Sequence, residues 1–151
     1  LQSFNSWKGT PNCIAPGKRP RITLTPTLVF KEGKPVLAVS VAGGDAQDQV
    51  ALQVVINAID FGFAPDRAVT EPRWLTGHYV GSFGQSPPRL GSLTLQREID
   101  PAVFKALEER GHRVGVGTAP LWIPVALSLD PKTGELRAAG DPKARRHAAA
   151  Y

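Results

Sequence analysis

Val39-Ser-Val-Ala-Gly-Gly-Asp-Ala-Gln-Asp-Gln49 runs from alternating apolar residues through two glycines into helical periodicity, and this strand-turn-helix junction sets the class of the fold. Upstream, Pro35 to Ala42 reads as a strand, reached through a hairpin turn at Lys31-Glu-Gly-Lys34 from an earlier strand over 22–30. Pro26 lacks an N–H and marks an edge, a bulge or a break in that earlier strand. Downstream, Asp45 is placed to cap a helix and Asp48 to sit in its first turn, where carboxylates meet free N–H groups and the positive end of the dipole. Leu52, Val55, Ile56 and Ile59 follow an i, i+3, i+4, i+7 pattern, and Ala51, Val54 and Ala58 form a second stripe. A helix apolar on most of its circumference is expected to be the central buried helix of the domain. Asp60-Phe-Gly62 stops it.

Outward from there, residues 1–20 are a Gly/Pro/Asn/Ser-rich loop, and Pro65 to Thr70 is a short helix ended at Glu71-Pro72. Residues 74–91 read as a long loop and Ser92 to Glu98 as a strand. Asp100-Pro101 opens a helix with Val103, Phe104 and Leu107 inward, and Gly111 ends it. Arg113 to Thr118 is a thin strand. Pro124 to Leu129 is a stronger one, turned by Asp130-Pro-Lys-Thr-Gly134 into Glu135 to Ala139. Tight turns between neighbouring strands imply antiparallel pairing, so the class is layered α/β with a mainly antiparallel sheet and not a doubly wound parallel one.

The 151 residues are one domain's worth of chain, 42% apolar and 21% charged, as in ordinary globular proteins. Leu1 is no initiator methionine, and the opening reads as the interior of a longer protein. A single cysteine, Cys13, excludes an internal disulfide framework and multi-cysteine metal sites. The net charge of +5 lies in short groups, Lys18-Arg19 with Arg21 and Lys143 with Arg145-Arg146. No aromatic platform stands beside them, so nucleic acid is not the expected partner, and the lack of a long apolar run makes a membrane an unexpected one. No run of 18 apolar residues is present.

The two glycines are the most informative chemistry. A strand ending in residues without Cβ at a helix start leaves several backbone N–H groups aimed at one spot, a nest suited to an anion or to the oxyanion of acyl transfer. The plainer reading is a strand-to-helix turn that needs positive φ, and spacing alone favours it. His78, His112 and His147 are scattered without metal-ligand spacing, and Cys13 has no His nearby in sequence. Neither a G-x-S-x-G elbow nor a phosphate-binding GKS/GKT loop occurs. Asp141, before Pro142, reads as a turn former.

Pro16-Gly-Lys-Arg-Pro20, Thr25-Pro-Thr-Leu-Val29, Gly43-Gly44, Leu52-Gln53, Asp60-Phe-Gly62, Ala68 to Arg73 and the ending from Gly140-Asp-Pro142 to Tyr151 together resemble the gamma-glutamyltranspeptidase family. Their order and spacing resemble the C-terminal portion of the family's small subunit, over residues 1–151. The resemblance implies part of an Ntn-hydrolase-like αββα sandwich, built from two subunits cut from one precursor, with no cofactor and no metal. It implies a large, N-terminal subunit as partner and a gamma-glutamyl or related amide as substrate. An N-terminal threonine, upstream of Leu1, would be the nucleophile with its own α-amine as base. Gly43 and Gly44 match the family's oxyanion-hole pair. Ile22 and Thr23 stand where glutathione-cleaving members carry two carboxylate-binding serines, and Asp45 stands where they carry a serine. Thr23 and Asp45 are thus the expected substrate contacts, Ile22 can donate no hydrogen bond, and the pattern points toward relatives that act on other amides. An amide acylase on glutaryl-type side chains is the second reading, and a non-catalytic anion-binding or subunit-assembly module the third.

Overall fold

The computed structural model describes residues 8, 9, 11, 13–19, 24–81, 86–118 and 120–150. Strands β1 (Thr27–Lys31) and β2 (Lys34–Ala42) form the expected hairpin. Its two turn residues, Glu32 and Gly33, have φ of 52° and 76°, the doubly positive pair that matches the twist of the flanking strands. β1 starts only after Pro26, and the strand is correspondingly shorter than the expected span.

Helix α1 (Gln47–Ile59) follows β2. Its cap is Ala46, without a side-chain cap bond, and not Asp45. The Gln47 N–H reaches the Gly44 carbonyl at 3.3 Å, so a turn over residues 44–47 precedes the helix and holds Asp45 inside it. The helix buries Gln47, Val50, Ala51 and Val54, whereas Leu52 and Ile59 are 57% and 48% exposed. The second stripe seen in the sequence is therefore the core face, and the first stripe is only partly covered, Val55 packing against the core while Leu52 and Ile59 stay exposed. One sheet lies under the helix, and a single sheet can cover only one side of it.

Helix α2 (Pro65–Thr70) has the expected bounds, and Ala68 and Val69 are fully buried beside α1. Strand β3 (Trp74–Leu75) opens the stretch expected to be loop, and pairs antiparallel with β4 (Ser92–Gln96). Helix α3 (Pro101–Glu109) leads to β5 (Arg113–Gly117), which pairs with β4 in parallel, Leu93 opposite Val114 and Leu95 opposite Val116. This parallel pair departs from the antiparallel expectation. A helical crossover between two strands allows it, as a tight turn does not. Val103 is 43% exposed and α3 buries no residue fully, so its inward face is thinner than expected.

The Asp100 carboxylate accepts the Ala102 N–H at 2.8 Å, with Pro101 in the first turn. Asp100→Ala should cost about 1 kcal/mol, read as a lowered urea midpoint, because one free N–H at the helix start loses its acceptor.

β6 (Ile123–Leu129) and β7 (Leu136–Gly140) complete a four-stranded antiparallel sheet ordered β1-β2-β6-β7. Its α1 side carries Leu37, Val39, Val41 and Ala126, all buried in one cluster with Val50 and Val54. Burying each such aliphatic side chain is worth about 1.5–3 kcal/mol. On the opposite side, by strand alternation, lie Leu28 and Phe30, 62% and 57% exposed.

Candidate functional site

The glycine pair lies where β2 ends and the turn into α1 begins. Gly43 has φ of 156°, and a Cβ built on it would fall on Cδ1 and Nε1 of the Trp122 indole. Only glycine lets that ring lie against the backbone. Trp122 immediately precedes β6, whose Ile123 pairs with Ala42, so the two strand ends bring Trp122 and Gly43 together. Trp122 adopts φ of 63°, a left-handed conformation that costs a non-glycine residue about 1–3 kcal/mol and persists only where surroundings enforce it. Its indole Nε1 is buried and has no hydrogen-bond partner among the described residues.

Two polar networks hold this corner. Gln47 is 4% exposed. Its Nε2 donates to the Gly43 carbonyl, and its Oε1 accepts from the Thr25 hydroxyl at 3.3 Å. The other network starts at Arg73, which is 1% exposed. Its Nε donates to the Leu121 carbonyl at 2.9 Å, Nη1 to the Val69 carbonyl and Nη2 to the Asp141 carboxylate at 2.5 Å. Arg73 thereby fixes the residue before Trp122, the end of α2 and the segment after β7. Asp141 also accepts the Lys143 N–H at 2.9 Å, so it does form a turn as expected, but it is 1% exposed and ion-paired as well. Sequence reasoning missed the pairing, since 68 residues separate the partners.

The loop after β3 lies over the start of α1. Gln49 clamps it from both sides: Nε2 donates to the Thr76 carbonyl at 3.0 Å and Oε1 accepts the Thr76 N–H at 2.9 Å. Burial pushes the Tyr79 phenol above its ordinary value, the negative charges of Asp45 and Asp48 push it the same way, and Arg89 opposes them. Tyr79 thus lies within electrostatic reach of Asp45, beside the glycine pair, and Arg89 within reach of Tyr79. Neither carries a motif signal in the sequence. Thr23 and Ile22 lie outside the described residues. His112 is exposed after Gly111, and no group of three His, Cys, Asp or Glu among the described residues could hold a metal ion.

The corner can present backbone N–H groups, backed by an indole N–H, to a developing negative charge. Among the described residues it shows no nucleophile and base in contact.

The model of the family described as gamma-glutamyltranspeptidase matches residues 2–151. The chain is 29% identical over 141 residues to the glutathione hydrolase proenzyme of Bacillus subtilis (strain 168), covering 93% of this chain but 22% of that protein. It therefore spans less than a quarter of that relative's length. Cephalosporin acylase from Bacillus halodurans superposes with a TM-score of 0.79 at 27% identity, over 93% of this chain and 25% of that one. A threonine-to-alanine variant of Helicobacter pylori gamma-glutamyltranspeptidase superposes with a TM-score of 0.76 at 24% identity, over 94% of this chain and 77% of that one. The fold is accordingly that of the Ntn-hydrolase transpeptidases and acylases, of which this chain forms a part.

Proposed function

Because this chain belongs to the gamma-glutamyltranspeptidase family, we propose that residues 1–151 are the C-terminal portion of the small subunit of a self-processing Ntn hydrolase that cleaves or transfers gamma-glutamyl amides. A threonine upstream of Leu1 attacks the amide carbonyl, its α-amine taking the hydroxyl proton. The carbonyl oxygen becomes an oxyanion held by the Gly43 and Gly44 N–H groups. Collapse expels the amine, which leaves with the proton, and the acyl-threonine is released to water or to an acceptor amine. One such donor is worth about 10²–10³ in kcat in acyl transfer. Thr23 and Asp45 serve as substrate contacts.

The observation that carries this reading is the contact between Gly43 and Trp122, which leaves no room for a side chain at that position. A bare turn needs glycine for its φ; this corner needs it for close approach as well. The exposed Leu28, Phe30, Leu52 and Ile59 suit a chain that packs against the remainder of its own subunit and a large subunit from the same precursor.

A second reading, an amide acylase without transferase role, is favoured by the likeness to cephalosporin acylase. Asp45 argues the other way: glutamyl and glutaryl groups both carry a terminal carboxylate, and only the glutamyl group adds an ammonium that Asp45 can attract.

The test is to express the full-length precursor, sequence the N-terminus of its small subunit, and assay gamma-glutamyl-p-nitroanilide beside glutaryl-p-nitroanilide. An N-terminal threonine with faster gamma-glutamyl cleavage supports the first reading, and faster glutaryl cleavage the second. A native chain starting near Leu1 that cleaves neither would leave only a non-catalytic module.

A further inference from the structure

We propose that Gln47 is a positioning residue of the oxyanion site: its side chain sets the Gly43–Gly44 peptide so that the Gly44 N–H faces the reacting carbonyl. The inference rests on the oxyanion-hole reading above and adds how that hole is held in shape. A trans peptide is planar, with its carbonyl and its N–H pointing in opposite directions, and no cis bond occurs among the described residues. Fixing the oxygen of Gly43 therefore aims the nitrogen of Gly44. Gln47 Nε2 donates to that oxygen, and among the described residues the Gly44 N–H is not one of the backbone donors to a backbone carbonyl in the turn it opens.

Free rotation of such a peptide would be the default, because glycine backbone is permissive. Two contacts oppose it here. Gln47 holds the carbonyl, and the Trp122 indole occupies the space beside the Gly43 Cα. The amide must also be held. Thr25 donates to Gln47 Oε1 at 3.3 Å, which orients the group with its NH₂ toward Gly43. Thr25 stands two residues after Thr23, the expected substrate contact. Gln47 thus ties the segment that would hold the substrate to the peptide that would hold the oxyanion.

The experiment uses the full-length, processed protein and the better of the two anilide substrates. Gln47→Leu keeps the volume and removes both polar partners. Its kcat should fall about 10–100-fold while KM stays within about threefold, because the hole acts on the transition state and not on ground-state binding. Gln47→Glu retains an acceptor for Thr25 but, when ionised, cannot donate to the Gly43 carbonyl; protonated, it can. Its kcat should rise as pH falls through the carboxyl range, a rise absent from the wild-type profile. Should Gln47→Leu not fold, Thr25→Val reads the same link, with a kcat loss of about 2–10-fold at unchanged KM.

An active wild type whose Gln47→Leu or Thr25→Val variant keeps its kcat, or loses kcat and gains KM in step with a lowered thermal midpoint, overturns the positioning role and leaves the oxyanion hole standing. A wild type inactive on both anilides overturns the hole and this inference together.

Discussion

Arg73→Met is expected to lower the stability of the protein by about 3–5 kcal/mol, the cost of leaving a buried carboxylate without its partner. Arg73 and Asp141 side chains are each 2% exposed, so water cannot replace the lost ion pair. The Leu121 and Val69 carbonyls lose their donors at the same time, and each unsatisfied buried group costs about 1–3 kcal/mol where no water enters. The measurement is the urea midpoint of the variant against wild type. Adding Asp141→Leu separates the contributions. If the unpaired charge dominates, the double variant should be more stable than Arg73→Met alone; if the orphaned carbonyls dominate, it should be no better. A loss below about 1 kcal/mol would put the pair in the class of exposed ion pairs and contradict its burial.

Gly43→Ala is the expected loss of activity. In the full-length, processed protein its kcat on the preferred anilide should fall about 10²–10³-fold, as for removal of an oxyanion donor. The new Cβ overlaps the Trp122 indole, so either the ring or the Gly43 backbone must move. Trp122→Ala in the same chain removes the overlap and should recover part of the rate, because alanine then meets only the backbone cost of φ at 156°. Recovery would locate the defect in the contact between the two residues. If Gly43→Ala kept its kcat within about twofold, the glycine would be serving the turn and the oxyanion assignment would fall.

Much of this was legible residue by residue. The hairpin through Glu32-Gly33, helix α2 and the Asp100-Pro101 helix start all depend on local rules: which residues tolerate positive φ, which fix φ, and which side chains can cap free N–H groups. The place of the glycine pair at the end of β2 was also visible, since it needs only a strand pattern, two residues without Cβ and a helix pattern in succession. Other elements failed for equally local reasons. Asp45 looked like a cap because capping depends on residue type, but where the helix begins was decided by the turn from Gly44 to Gln47. The two apolar stripes of α1 could not be ranked, because a helix carries no record of how many layers cover it.

The sequence by itself determined the class of fold, the order of the helices and of every strand but β3, and the place of the glycine pair, all consequences of short-range sterics, hydrogen bonding and hydrophobic period. The tertiary structure alone decided what surrounds that pair. Trp122 meets Gly43 across a strand pair, Gln47 turns back onto the Gly43 carbonyl, and Arg73 joins Asp141 across 68 residues. Such contacts bring together residues far apart in the chain or set one side chain's direction in a folded turn. Neither leaves a pattern in the sequence, because their partners are chosen by packing and burial and not by spacing.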